Sequence, residues 1–194
     1  RIDASVPTLK ALLEAGARVV VSSRTEEACA DAERLLSAVG DVRAAMFPRS
    51  SNKPMQAVGM LRAGAALSGR HLALACASHS GEAFHRDAVL EMLASAGLDA
   101  SFLQNTPTLP GDEQVRADWL AAGKGPTALA QNCSGKHAGM LATCVVNGWD
   151  TTTYRDVDHP LQRLMATTLE QIADDTVEAT GVDGCGAPVM TLSM

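Results

Sequence analysis

Aromatic residues are scarce: two Trp, one Tyr and three Phe make up 3% of the 194 residues, so Leu, Val, Ala and Met must fill whatever core forms. No apolar run reaches membrane-spanning length, and charged residues recur along the whole chain, which argues against a transmembrane protein. No cluster of Lys or Arg offers a surface that could track phosphates. With a net charge of -6 and a pI near 5.3, a nucleic-acid partner is not expected. Cys29, Cys76, Cys133, Cys144 and Cys185 are odd in number, lack C-x-x-C spacing and follow no secretory leader, so reduced thiols and a cytoplasmic setting are expected. Internal repeats and low-complexity linkers are also missing. What remains is a globular, soluble chain, 46% hydrophobic, long enough for one good-sized core or two small domains.

Gly and Pro punctuate it. After Pro7-Thr8, apolar residues at helical spacing run to Gly16, residues 18–22 read as a short strand, and residues 25–38 read as a second amphipathic helix. Residues 42–47 read as a strand feeding a helix over residues 51–64. Residues 71–77 (HLALACA) read as a buried strand that runs into Ser78-His79-Ser80-Gly81-Glu82. Further helices are expected over residues 82–96 up to Gly97, over residues 113–122 up to Gly123, and after Ser134 to about residue 146. A last one runs from Asp158-His159-Pro160 to about residue 174, with His159 as a structural cap. Residues 180–188 form a glycine-dense loop that can bring its backbone close to a small ligand. The pattern is mixed α/β, a sheet flanked by helices.

The chemistry centres on Phe47-Pro48-Arg49-Ser50-Ser51-Asn52-Lys53-Pro54, which sets a hydroxyl and an amine three residues apart where a helix is expected to start. With Ser50 as N-cap, Lys53 rises one turn later on the same face and its amine reaches the serine oxygen. A serine hydroxyl needs a base to become a nucleophile, and a lysine serves only while burial or nearby positive charge keeps part of it neutral. Arg49 and the helix N-terminus both push that way. Ser-x-x-Lys alone equally describes a capped helix with a solvated lysine. Ser78 stands where an apolar run gives way to a helix, a place suited to ligand contact or to helix capping. The stretch Leu129-Ala130-Gln131-Asn132-Cys133-Ser134-Gly135-Lys136-His137-Ala138-Gly139 gathers reactive and polar types ahead of a small-residue helix, an arrangement costly to keep if nothing binds there.

Taken together, Arg49-Ser50-Ser51-Asn52-Lys53-Pro54, Ser78-His79-Ser80-Gly81-Glu82, Asn132-Cys133-Ser134-Gly135-Lys136-His137, Asp158-His159-Pro160-Leu161-Gln162-Arg163 and Val182-Asp183-Gly184-Cys185-Gly186 resemble the asparaginase II family, the thermolabile rhizobial type of L-asparaginase. The blocks stand in family order over about residues 40–194. The resemblance implies a cytoplasmic, homodimeric amidohydrolase that turns L-asparagine into L-aspartate and ammonia, with a mixed α/β fold related to serine β-lactamases and glutaminases. It implies Ser50 as nucleophile, Lys53 as its base and Ser78 as a second active-site serine. Arg49, His137 and Asp183 would line or hold the substrate pocket. Cys133, Lys136 and Cys185 would form a zinc site, modulatory rather than essential. Two thiolates and an amine suit zinc with a fourth position left for water, provided the lysine loses its proton. Inert core and loop cysteines would give the same residues.

The family's second lysine has no counterpart before residue 194, so the catalytic region, taken as residues 39–194, is expected to be truncated. Residues 1–38 are set apart as a helix-strand-helix segment of unassigned origin. Residues 1–21 resemble a short segment near the N-terminus of phosphoglycerate kinases, but Ser22-Ser23-Arg24-Thr25 replaces the glycine-containing phosphate loop and no kinase function is carried over. A penicillin-recognising serine enzyme shares Ser-x-x-Lys, but its S-D-N and K-T-G strings do not occur here. A non-catalytic domain that keeps a thiolate metal site and an amino-acid pocket is the remaining alternative.

Overall fold

Gly135 and Gly139 lie four residues apart, on one helical face with no side chain to hold a neighbour off. That face becomes the seam of the fold. In the computed structural model, which describes residues 44–192, the helices in chain order are α1 (Lys53–Arg62), α2 (Gly69–Cys76), α3 (Ala83–Ser95), α4 (Glu113–Ala121), α5 (Ser134–Asn147) and α6 (Pro160–Ala173). Helix α5 packs against α2 and α3 and meets α1, while α6 lies against α1. A Cβ at Gly135 would stand 2.7 Å from both Cγ and the carbonyl oxygen of Leu74 in α2, and one at Gly139 would stand 2.9 Å from Met60 Sδ in α1. Only glycine lets these helices come so close. As a result, every residue of α5 from Ser134 to Leu141 is buried.

The core follows from that packing. Met60, Leu74, Val89, Met92, Leu93, Met140, Leu141, Leu161, Met165 and Leu169 form one cluster that includes Tyr154, the chain's single tyrosine. Methionine, flexible and polarisable, fills the gaps that a core short of aromatics leaves. Helix α6 starts as its sequence predicts: His159 Nδ1 accepts from the Leu161 N–H at 3.1 Å, and Pro160 takes the first helical position. Helices α3 and α4 end just before Gly97 and Gly123. Strands β1 (Thr180–Val182) and β2 (Pro188–Met190) pair antiparallel with Gly181 opposite Val189, so the glycine-dense loop is the tip of a hairpin. The mixed α/β class is therefore present, helix-rich among the described residues with a two-stranded antiparallel sheet. Residues 47–192 form one compact unit. No described helix is long and apolar enough to cross a membrane.

Local expectations need correction in three places. Residues 71–77, read as a buried strand, belong mostly to helix α2. An apolar run this short fits either structure, and Leu and Ala are strong helix formers; Leu74 and Ala75 turn toward α5 while Ala73 stays exposed. Ser50 does not cap α1. A 3-10 turn, Arg49–Asn52, comes first, and α1 begins at Lys53 with Asn52 at its N-cap position. Of the strand expected over residues 42–47, Met46 alone of the described part lies in a bridge. The helix, strand and second helix expected over residues 7–38 lie outside the described residues, as do residues 42 and 43.

Candidate active site

Three segments border one cleft of about 260 Å³: the Arg49–Asn52 turn with the start of α1, the polar turn leading into α5, and the tip of the β1–β2 hairpin. Arg49 has a left-handed backbone, φ 53°, which is rare for a side chain of its size. Such strain persists where surroundings over-determine it, commonly at functional sites. The turn is braced by Ser51 Oγ, which donates to the Pro48 carbonyl at 2.6 Å, and it leaves Ser50 exposed on the cleft wall.

Lys53 is only 2% exposed. Its Nζ donates to the Ala77 carbonyl at 2.7 Å and to Ser78 Oγ at 2.9 Å. Burial lowers its pKa; the Cys133 sulfur pulls the other way, and Lys136 adds to the lowering. The structure thus brings Lys53 to Ser78, where the i, i+3 spacing had pointed to Ser50. The cause is tertiary. Ala77 is the C-cap of α2, and its carbonyl, free of helix bonding, draws the amine across from α1.

Ser78 does not cap α3, whose N-cap position is held by Glu82. Its turn is fastened by His79, which is buried. The His79 N–H donates to the Asn132 carbonyl at 3.1 Å, Nε2 meets Ser134 Oγ at 2.8 Å, and Nδ1 accepts from the Gly81 N–H at 3.1 Å. Burial, then His85 and Lys53, push the His79 pKa down to about 4.

Cys133, Lys136, Asp183 and Cys185, which also line the cleft, come together, with His137 beyond them. Lys136 Nζ lies 3.1 Å from Asp183 Oδ2 and 3.2 Å from Cys185 Sγ. Asp183 Oδ1 accepts from the Cys185 thiol at 2.8 Å and from the N–H groups of Cys185 and Ala187, each at 3.0 Å. Burial works against the Asp183 carboxylate, but Lys136 and these bonds hold its pKa below the usual value. Burial likewise opposes the Lys136 ammonium, and Cys185, Asp183 and Cys133 together lift its pKa above the usual value. The neighbouring Cys185, and then Lys53 and Lys136, bring Cys133 down to about 5 despite burial, while Cys185 is pushed up. Lys53 and Lys136 both favour the ionised form of Cys133, whose sulfur lies 3.3 Å from Asn132 Oδ1.

His137 does not line the cleft. It is fully buried behind Cys185, with Nε2 3.1 Å from Cys185 Sγ and Nδ1 2.7 Å from the Tyr154 hydroxyl. Burial keeps it neutral, with its pKa well below the usual value. Because the Cys185 thiol donates to Asp183, its sulfur is free to accept from Nε2–H, which leaves Nδ1 to accept from the Tyr154 O–H.

Asn52, Gln56, Gln131 and Asn132 also line the cleft, and sequence reasoning gave them no role. Gln131 braces the wall: Oε1 accepts from the Cys133 N–H at 2.9 Å and from Asn105 Nδ2 at 3.0 Å, and Nε2 donates to Asn132 Oδ1 at 2.7 Å. Its place in the polar run before Cys133 was the available signal. Gln56 follows Asn52 by one helical turn on the helix that carries Lys53, and that spacing was the signal for this pair.

A search of curated proteins gave no match. A family model described as L-asparaginase II matches residues 21–194, beginning earlier than the five sequence blocks. That match takes in well over half of the 194 residues and all three segments of the cleft, and the chain belongs to the L-asparaginase II family.

Proposed function

We propose that the chain hydrolyses the side-chain amide of L-asparagine through a serine acyl-enzyme, giving L-aspartate and ammonia. Family membership supports an asparaginase-type activity. The observation that carries the mechanism is the buried Lys53 amine, its pKa lowered, 2.9 Å from the Ser78 hydroxyl and lining the same polar cleft as Ser50. In this reading Ser50, on the cleft wall, is the nucleophile. Its Oγ bonds to the amide carbon while its proton passes to Lys53, the C–N bond breaks, and Lys53 returns the proton to the departing nitrogen, released as ammonia. Water then cleaves the ester, freeing aspartate and restoring the serine. Ser78 orients the Lys53 amine. Arg49 takes the substrate α-carboxylate and Asp183, kept ionised, the α-ammonium. His137 supports the site indirectly, through Cys185.

A second reading has Ser78 attack directly, and its contact with Lys53 favours it. Acid quenching during turnover, followed by peptide mass mapping, separates the two: an aspartyl ester on the Ser50 peptide supports the first, one on the Ser78 peptide the second. Full ammonia release by both Ser50→Ala and Ser78→Ala would refute a serine acyl-enzyme.

Zinc belongs to the same proposal, held by Cys133, Lys136 and Cys185. Lys136 Nζ and Cys185 Sγ are 3.2 Å apart, and two ligands of a tetrahedral zinc at ordinary Zn–N and Zn–S lengths stand about 3.5 Å apart. Cys133 has the more acidic of the two thiols, and binding the ion would release protons from the thiols and from Lys136. Among the described residues no three His, Cys, Asp or Glu side chains converge on a metal position, so the assignment depends on lysine as a ligand. Bound there, the ion would supply a fixed positive charge tying the α5 turn to the hairpin tip. Metal analysis of the protein and of Lys136→Met tests it, with zinc near one equivalent expected for the first and lost in the second. The homodimer and cytoplasmic setting implied by the family also stand as proposals; sedimentation velocity tests the dimer.

A further inference from the structure

Asn52 and Gln56 are 2% and 3% exposed, yet both border the cleft. Each has one buried polar atom with no hydrogen-bond partner among the described residues: Asn52 Nδ2, a donor, and Gln56 Oε1, an acceptor. Folded proteins leave few buried polar atoms unpaired, and each calls for an explanation. The other unpaired buried atoms belong to His85, Asn105 and His159, none of which lines this cleft. The neighbouring polar side chain, Gln131, is satisfied within the wall. An unmatched donor and an unmatched acceptor, both screened from solvent, therefore lie one helical turn apart in the segment that also carries Ser50 and Lys53 to the cleft.

We infer that Asn52 and Gln56 read the side-chain carboxamide of the substrate, an inference that rests on the asparagine-hydrolysing reading above. With both side chains, which no hydrogen bond among the described residues holds, turned toward the cleft, Asn52 Nδ2–H donates to the amide oxygen and Gln56 Oε1 accepts from the amide NH₂. A primary carboxamide is the group whose two ends match this pair. Aspartate, the product, differs by one substitution, an oxygen where asparagine has NH₂. That oxygen would set an acceptor against Gln56 Oε1. The pair thus favours substrate over product and helps aspartate leave. Discrimination of this kind is large when a buried polar group is left facing the wrong partner.

Equilibrium titration of L-asparagine and L-aspartate against the chain carrying Ser50→Ala and Ser78→Ala, which removes both hydroxyls, tests the inference without turnover. Asparagine is expected to bind about tenfold or more tighter than aspartate. Gln56→Met, similar in size but lacking the acceptor, should weaken asparagine about tenfold and leave aspartate within about twofold. Gln56→Glu, which fixes the acceptor, should keep asparagine binding and weaken aspartate further. Circular dichroism and a thermal melt check folding, and if the Met variant does not fold, the Glu variant decides. A structural role alone would move both ligands together. Equal weakening of both, no change in either, or no asparagine binding to the parent would overturn the inference. Ammonia release by the unaltered chain reports separately on hydrolysis: binding preference without ammonia would sink that reading and leave this one standing, and ammonia with no effect of Gln56 would do the reverse.

Discussion

Acid should loosen the turn that carries Ser78, and His79 sets the pH at which this happens. Ser134 Oγ donates to the Leu129 carbonyl at 3.0 Å, so it accepts from His79 Nε2–H at 2.8 Å, while Nδ1 accepts from the Gly81 N–H at 3.1 Å. Both ring nitrogens are satisfied by one neutral tautomer. A second proton would land on Nδ1 against the Gly81 N–H, in a buried place already crowded by His85 and Lys53, and the pKa stands at about 4 in place of 6.5. The unfolded chain takes up that proton near the ordinary value, the folded chain only near 4. Through that window the unfolded state binds more protons, so stability falls as pH falls, and below it His79 contributes no further loss. At about 1.4 kcal/mol per unit, the change from the ordinary pKa to the folded one amounts to about 3 kcal/mol. Urea unfolding of the protein and of His79→Gln, repeated between about pH 7.5 and pH 4, measures it. Subtracting the two cancels groups common to both, such as Cys133, which also titrates in this range. The difference in unfolding free energy should change by about 3 kcal/mol across the window. A difference that does not vary with pH would refute the neutral, doubly bonded imidazole.

Three further outcomes follow from the geometry. Lys53→Met should lower ammonia release by about 10²–10⁴-fold with the fold intact by circular dichroism, and Lys53→Arg should not restore it because a guanidinium stays charged; activity near that of the unaltered protein would remove Lys53 from the mechanism. Gly135→Ala would drive a methyl to 2.7 Å from the Leu74 carbonyl oxygen, costing about 1–3 kcal/mol in urea unfolding; an unchanged midpoint would mean that the α2–α5 seam can open. Tyr154→Phe removes the hydroxyl that meets His137 Nδ1 at 2.7 Å and accepts from the Gln104 N–H at 3.1 Å, with an expected loss of about 1–3 kcal/mol in the same assay. A cost near zero would show that water replaces it.

Elements bounded by local signals were legible. Gly97, Gly123 and His159-Pro160 mark helix ends through backbone chemistry that does not depend on the rest of the fold, and α3, α4 and α6 start or stop where those residues placed them. Residues 71–77 were not legible, because a short apolar run with no alternation carries no period to read. Packing against Gly135 made it a helix. The thiol cluster was implied by the family resemblance alone; the residues by themselves read equally as inert cysteines, because only the hairpin delivers Cys185 to Lys136. Asn52 and Gln56 could not be read as ligand-facing, because a polar residue at a helix start is ordinary until its burial is known.

The partners of the two lysines were the hardest feature to read, and they decide the chemistry. Ser50-x-x-Lys53 and Cys133-x-x-Lys136 repeat one spacing, each lysine falls in the first turn of its helix, and each is 2% exposed. Burial alone would lower both. Lys136 has the Cys185 sulfur at 3.2 Å and the Asp183 carboxylate at 3.1 Å and is held as an ammonium ion, its pKa raised. Lys53 has a neutral carbonyl and a neutral hydroxyl as its nearest partners; Cys133 pulls against the effect of burial without overcoming it, and the pKa falls. A hairpin some forty-seven residues along the chain, bringing Cys185 and Asp183 to one lysine and not the other, therefore separates an amine whose pKa rises from one whose pKa falls. Spacing nominates two candidate bases in this protein, and only the third dimension chooses between them.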